Sequence, residues 1–443
     1  MLPRNVNVIM IALFVALLCY STAARSKKAI LVGEAITLID RFYVDPVDDG
    51  ALVEAAMTGI TSQLDEHSEF IPPGMYGAFQ DVIEQEFAGI GILVEQPEKG
   101  KPVRVITPLV GSPALAAGML PRDEIIKVND QDVSNLEIGA VSDLLRGPVG
   151  TELTVSVQRE VEGAAKVVDI KLSRKTIELE SVTGEYRDEN NQWVFHLKDH
   201  PGIAYIRMTS FGEKTVAEMK QVLDKLDNQF ESLILDVRAN SGGLLYAAVE
   251  VCDDFLDSGR IVSIKKRGGA IDSEYDATEG VLVRKDIPIV VLIDGNSASA
   301  SEIVAACLQD HGRAKVVGSR SFGKGTVQNV LSLDYGRSAL KLTTARYFRP
   351  NGKNIHRLRD AKLEDEWGVS PDPGMAVTID DEAYKKLVQQ WQQSSFPVLS
   401  NNVAEPSSET PAQVSDPQLQ RAIEVLLGTE MPASQPERLQ KAA

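Results

Sequence analysis

The chain has 443 residues, a quarter of them charged and 6% aromatic, with a net charge of −17. That length leaves room for about three domains with buried cores, and the composition is that of an ordinary globular protein. The acidic balance argues against nucleic acid and against an anionic membrane surface as partners.

The first 25 residues stand apart. Arg4 precedes an apolar run from Val6 to Leu18, and small residues follow at Ser21-Thr22-Ala23-Ala24. These are the three parts of a secretory signal, with Ala23 or Ala24 as cleavage sites. The run is short for a spanning helix. An uncleaved anchor associating with the membrane through residues 6–24 is the alternative. Lipidation at Cys19 is a minor option, because Leu18 stands where a lipoprotein signal wants a small residue. The expected location is the periplasm or cell envelope. Beyond this segment only Cys252 and Cys307 remain. Their spacing supports neither a metal knuckle nor a disulfide framework, and both read as small buried residues.

Residues 28–85 read as helical. Ile30, Leu31, Ala35, Ile36, Leu38 and Ile39 form an apolar stripe, Tyr43-Val44-Asp45-Pro46 stops it, and a second helix spans about Gly50 to Leu64. The segment LDEHSEFI resembles the L-D-P-H-S-x-Y stretch that precedes the PDZ domain in a known protease family, with Glu66 in place of the proline, and that resemblance implies a structural His67. From Phe87 the texture turns to strands, at Val103–Ile106, Glu124–Val128 and Leu153–Gln158, with a short helix from Leu136 to Arg146. The glycines of Gly89-Ile90-Gly91-Ile92 leave N–H groups able to receive a terminal carboxylate while a peptide adds as a strand. Ile90, Ile92, Val141 and Leu145 could line an apolar pocket for its last side chain. With GSPALAAGM, DEIIKVND and LLRGPVGT following in order, residues 86–175 resemble a PDZ domain.

Residues 176–380 alternate strands and helices, which argues a mostly parallel sheet with helices packed on it and functional residues at strand carboxyl ends. One such end carries Asp236-Val237-Arg238-Ala239-Asn240-Ser241-Gly242-Gly243. A later strand, Ile287 to Ile293, runs into a turn at Asp294-Gly295-Asn296, then Ser297, Ser299 and Ser301 alternate with alanines at a helix start. A serine there has an exposed hydroxyl and free helix N–H groups beside it, which suit a developing oxyanion. A second turn, Ser321-Phe322-Gly323-Lys324-Gly325, sets one lysine between two glycines. Their small size lets the backbone pack close and desolvate an amine. Taken singly these features read as capping and a solvated turn.

Together they resemble the active-site segment of the carboxy-terminal processing, or tail-specific, serine proteases of peptidase family S41. Ser299 in S-A-S-E, Lys324 in F-G-K-G and Gln328 beyond it keep the family spacing, and D-V-R-A-N-S-G-G resembles its D-L-R-x-N-P-G-G. The resemblance implies a multi-domain α/β protein: a helical amino-terminal region, a PDZ domain, a crotonase- or Clp-protease-like core and carboxy-terminal helices (381–443). It implies that Ser299 is the nucleophile and neutral Lys324 the general base. Gln328 would orient the lysine from one turn on if that segment is helical. Gly242 or Gly243, with Ala300, would give the oxyanion hole. Asp236 and Arg238 would brace the loop. No metal or other cofactor is expected. Implied partners are protein substrates with apolar carboxyl tails, an activating adaptor protein, and further copies of the chain through its terminal helices. A charged insertion between Ile355 and Gly368, and a Pro- and Ser-rich linker at 399–416 before an apolar-striped helix, depart from or extend the family pattern. A catalytically degenerate PDZ adaptor and a crotonase-like thioester enzyme are the other classes. Intact Ser299, Lys324 and Gln328 count against the first, and the export segment counts against the second.

Overall fold

The computed structural model describes residues 10, 13–14, 29–161, 163–362, 364–399 and 414–428. The expected export segment at 1–25 and the expected linker at 399–416 fall mostly outside them. No helix among the described residues is long and apolar enough to cross a membrane. The chain divides into two units, 1–77 with 328–344, and 78–327 with 345–443.

In the first unit, residues 29–42 are helical and a second helix spans Asp49–Thr61, capped by Asp48, whose carboxylate accepts from the Gly50 N–H at 2.8 Å. The reading of this region as wholly helical is corrected by a strand, Glu69–Ile71, paired antiparallel with residues 339–341. Three residues are too few to display an alternating pattern, and this strand depends on a partner some 270 residues away.

In the second unit, the β-rich domain is a six-stranded antiparallel sheet. Its edge is Ile92–Glu95, followed in space by Val103–Pro108, Glu124–Val128, Glu152–Val161 and Ala164–Ser173, with Gln131–Asp132 beside Glu124–Val128. Inward-facing Val103, Val105, Ile125, Val155 and Val157 make its core with Val141 and Leu145 of the helix Ile138–Leu145.

The larger domain is built on a five-stranded sheet in the order Val182–Thr183, Ile203–Met208, Ser232–Asp236, Ile289–Ile293, Lys315–Gly318. The first strand is antiparallel and the rest are parallel. Its central strands read as unbroken apolar runs because both faces are covered. Leu233, Leu235, Val291 and Ile293 face the helices Thr215–Leu226, Leu245–Asp253 and Ala300–Asp310. Ile234, Val290, Leu292 and Val317 face the carboxy-terminal helix Pro417–Leu427 through its Leu419, Ala422 and Ile423. That helix's apolar stripe therefore buries itself in the chain's own core. The architecture is multi-domain α/β, and the carboxyl ends of Ser232–Asp236 and Ile289–Ile293 both open into the loops considered next.

Candidate active site

Ile289–Ile293 ends at Asp294, whose carboxylate accepts from the N–H groups of Ala239 (3.1 Å to each oxygen) and Asn296 (2.9 Å). The turn is thereby fastened to the loop after Ser232–Asp236. The three serines then divide their work. The Ser297 hydroxyl donates to Val237 O and the Ser301 hydroxyl to Asn240 O, both at 2.9 Å, so each is spent holding the two loops together. Ser299 caps the helix Ala300–Asp310 with φ 54° and ψ −112°, a left-handed backbone that a residue with a Cβ adopts only when its surroundings enforce it. The phenol of Tyr347 lies beside the Ser299 side chain, and burial holds that phenol above its ordinary pKa. Ser301→Ala should keep cleavage within about tenfold of wild type and cost roughly 1 kcal/mol of stability. Urea unfolding and a cleavage assay check this, and complete loss of cleavage would move the nucleophile away from Ser299.

The residue that sequence reasoning passed over is Glu302. It is fully buried, and its carboxylate gathers four donors. Oε2 accepts from the backbone N–H groups of Ser299 and Lys324, each at 2.8 Å. Oε1 accepts from the Ser321 hydroxyl at 2.5 Å and the Gly323 N–H at 2.6 Å. One carboxylate thus fixes the backbone of the serine and the backbone of the lysine loop together. Burial pushes its pKa up to about 7 against the pull of those donors. The signal was present in the sequence: an acidic residue three positions after a helix-capping serine forms a capping box.

The lysine loop is gripped from its other side by the start of the charged insertion. Arg357 N donates to Gly323 O at 2.8 Å, and Tyr347 N donates to Gly325 O at 2.9 Å. A Cβ on Gly323 would lie 2.7 Å from that of Arg357 and 2.9 Å from the Trp367 ring, and one on Gly325 would collide with the His356 backbone. Both glycines flanking Lys324 are there for close approach. The Trp367 ring is held between the guanidinium groups of Arg320 and Arg357, 4.7 and 4.6 Å from its centre. The insertion therefore supports this loop.

Of the two candidate oxyanion glycines, Gly242 packs hardest against the elbow. A Cβ there would lie 2.8 Å from Ser299 Cβ and 3.0 Å from Ala300 N. Its N–H, however, already donates to Asn240 Oδ1 at 2.8 Å. The N–H groups of Gly243 and Ala300 have no backbone acceptor in the surrounding loops among the described residues.

Gln328 stands on a strand, Thr326–Leu333, which corrects the conditional expectation of a helix there. Thr326, Val327 and Val330 are β-branched, which suits extended backbone, although the apolar spacing of Val327, Val330 and Leu331 is that of a helix. In the first unit the Gln328 side chain donates to Thr343 Oγ1 at 3.1 Å, and that hydroxyl donates to Asp65 at 3.2 Å. Asp65 also accepts from the backbone of His67 and Ser68, which gives the LDEHSEF segment a turn-holding role.

In the β-rich domain, Ile90, Val141 and Leu145 are buried in the core, and Ile92 is the half-open member of the set. The N–H groups of Ile90 and Gly91 lack a backbone acceptor among the described residues. Gly91 has φ +73°, and a Cβ there would strike the Ser112 side chain. Among the described residues Ile92–Glu95 keeps one side unpaired, and Gln96 ties it to the start of the facing helix, accepting from Ile138 N at 3.1 Å and donating to Leu136 O at 2.9 Å. Among the described residues no group of three His, Cys, Asp or Glu side chains could hold a metal ion.

Comparison with known proteins agrees with this architecture. The model of peptidase family S41 matches residues 202–373, and that of a PDZ domain matches residues 104–159. A carboxy-terminal-processing protease of Bartonella bacilliformis is 35% identical over 351 residues, covering 78% of this chain and 74% of its own. The carboxy-terminal processing protease CtpA of Bacillus subtilis is 33% identical over 340 residues, covering 76% and 68%. Among solved structures, a photosystem II D1 C-terminal processing protease is 28% identical with a TM-score of 0.43, covering 80% of this chain and 93% of that one.

Proposed function

The chain belongs to the carboxy-terminal processing serine proteases of peptidase family S41 and carries a PDZ domain, and from that premise we propose that it is a Ser–Lys endopeptidase selecting substrates by their carboxyl tails. The observation that carries the dyad is the shared carboxylate, since Glu302 Oε2 holds the Ser299 and Lys324 amides at 2.8 Å each. Ser299 attacks the scissile carbonyl. Neutral Lys324 takes its proton and returns it to the leaving amine, and water then releases the acyl group with the same lysine as base. An unperturbed lysine, with pKa about 10.4, is protonated at neutral pH, so this chemistry needs the amine desolvated. The tetrahedral oxyanion is received by the N–H groups of Gly243 and Ala300, neither of which has a backbone acceptor in the surrounding loops among the described residues. Gly242 serves by its lack of a side chain.

The substrate tail adds as a strand along Ile92–Glu95. Its terminal carboxylate meets the N–H groups of Ile90 and Gly91, and its last apolar side chain lies against Ile92 over the Ile90, Val141 and Leu145 floor. Exported proteins are the substrates that the signal-like amino terminus fits. The test compares two versions of one unstructured substrate, with an apolar tail ending in a free or an amidated carboxylate. Amidation should raise KM roughly tenfold or more and leave kcat within about threefold, since charge-assisted hydrogen bonds are worth ~1.5–3 kcal/mol. Equal KM values would rule out tail recognition by this domain and leave the dyad untouched.

A further inference from the structure

The loop that carries Gly243 begins at Arg238, whose side chain is 0% exposed. A guanidinium in such a place must have every donor answered. Asp236 accepts from Nε at 3.0 Å and Nη2 at 2.6 Å, which satisfies only the inner edge. The outer edge is answered from 178 residues further on. Asp416 Oδ1 accepts from Nη1 at 2.9 Å, Asp416 Oδ2 accepts from Nη2 at 2.8 Å, and Gln418 Oε1 takes the remaining Nη1 donor at 3.2 Å. The Trp391 ring lies 4.7 Å from the guanidinium carbon. Arg207 joins the cluster through Asp236, at 3.1 Å, and through the Arg238 carbonyl, at 3.0 Å. Two arginines thus face two aspartates, and one of those aspartates comes from the carboxy-terminal helix.

Asp416 is also the cap of that helix, accepting from Leu419 N at 3.0 Å. The apolar face of Pro417–Leu427 packs on the sheet. The carboxylate adds direction, because a two-pronged arginine–carboxylate pair fixes the guanidinium in plane. What it fixes is the start of a loop that has little slack. Ala239 follows with φ 56°, and Asn240 O accepts from Ala298 N at 3.0 Å and from the Ser301 hydroxyl. Gly242 and Gly243 come next.

We infer that Asp416 is a positioning residue for the oxyanion loop, with the carboxy-terminal helix acting as a strap that holds Arg238 and, through it, the Gly243 N–H in register with Ala300. This rests on the endopeptidase reading above.

The experiment uses the full chain with Asp416→Asn, Asp416→Glu and Ile423→Ala. Asparagine still caps a helix but cannot accept both guanidinium prongs. Ile423→Ala loosens helix docking without touching the clamp. Steady-state kcat and KM are measured on a substrate with an apolar free-carboxylate tail. Labelling of the nucleophile by an organophosphonate serine reagent and thermal midpoints are measured alongside. Asp416→Asn should lower kcat and the labelling rate about tenfold to a hundredfold with KM within about twofold, since small displacements of reacting groups are that costly. Asp416→Glu should recover part of the loss, and Ile423→Ala should lower the midpoint while keeping kcat near wild type. Wild-type kcat in Asp416→Asn would overturn the inference, as would a kcat loss in Ile423→Ala matching that of Asp416→Asn at equal stability. A wild-type chain that neither turns over nor labels would overturn the endopeptidase reading itself.

Discussion

Ser299→Ala and Lys324→Ala, each in the full chain, are expected to cleave an unstructured protein with an apolar carboxyl tail on the order of 10⁴–10⁶-fold more slowly than wild type. Their thermal midpoints should be unchanged, and the double variant should be no worse than either alone. Non-additivity is the signature of two groups acting as one device, because the lysine has no proton to take once the hydroxyl is gone. Lys324→Arg should fail as completely as Lys324→Ala. A guanidinium stays charged at any workable pH, and the tight Gly323–Gly325 turn is closed in by Arg357, Trp367 and the His356 backbone. Activity surviving in Lys324→Ala would remove the lysine from the mechanism. Survival in Ser299→Ala would move attention to Ser297 and Ser301, whose hydroxyls are already engaged with Val237 O and Asn240 O.

The parts of this site legible in the sequence are those with local signatures. An apolar run ending in a turn before alternating serines announces a strand-to-helix elbow. Glycines on both sides of one lysine announce close packing, and the order of strand and turn segments announces the β-rich domain. What stayed hidden are contacts between residues distant in the chain. Tyr347 reaches the Ser299 side chain from the strand Ser338–Phe348, which carries no local mark of it. Asp416 stands where the linker meets the expected apolar-striped helix, which it caps, and nothing nearby in the sequence said that its carboxylate also closes a cage around Arg238. The strand Glu69–Ile71 and the strand conformation at Gln328 were missed for the same reason, since pairing partners decide extended structure more than local preference does. Glu302 is the exception. Its position three residues after Ser299 was in plain view, and its importance shows only once the lysine loop is seen to close on the same carboxylate.

Glu302→Gln should lower kcat about 100-fold or more while leaving tail binding intact, because it replaces an acceptor for four donors by a group with one acceptor oxygen and an NH₂ that must face N–H groups. Either the Ser299 and Lys324 amides lose their shared partner and the two backbones come apart, or the Ser321 hydroxyl and Gly323 amide lose theirs and the lysine loop loosens at Gly323. The same carboxylate makes a separable prediction with pH. Burial raises its folded pKa to about 7, above the 4.5 of an ordinary glutamate. The folded state therefore binds this proton more tightly than the unfolded state does. The stability it confers is fully present below about pH 4.5 and is lost as pH rises through about 7, at up to ~1.4 kcal/mol per pH unit. Activity should run the other way. Protonation turns one acceptor into a donor and breaks at least one of the four bonds, so turnover falls as pH drops below about 7 while the fold grows more stable. Thermal midpoints and kcat measured from pH 5 to 8 test both limbs, and Glu302→Gln should lack the stability trend that wild type shows. A wild-type kcat that stays flat across this range would mean the clamp works equally well protonated. A Glu302→Gln variant with normal turnover would mean that the serine and lysine are held in register by something other than this carboxylate.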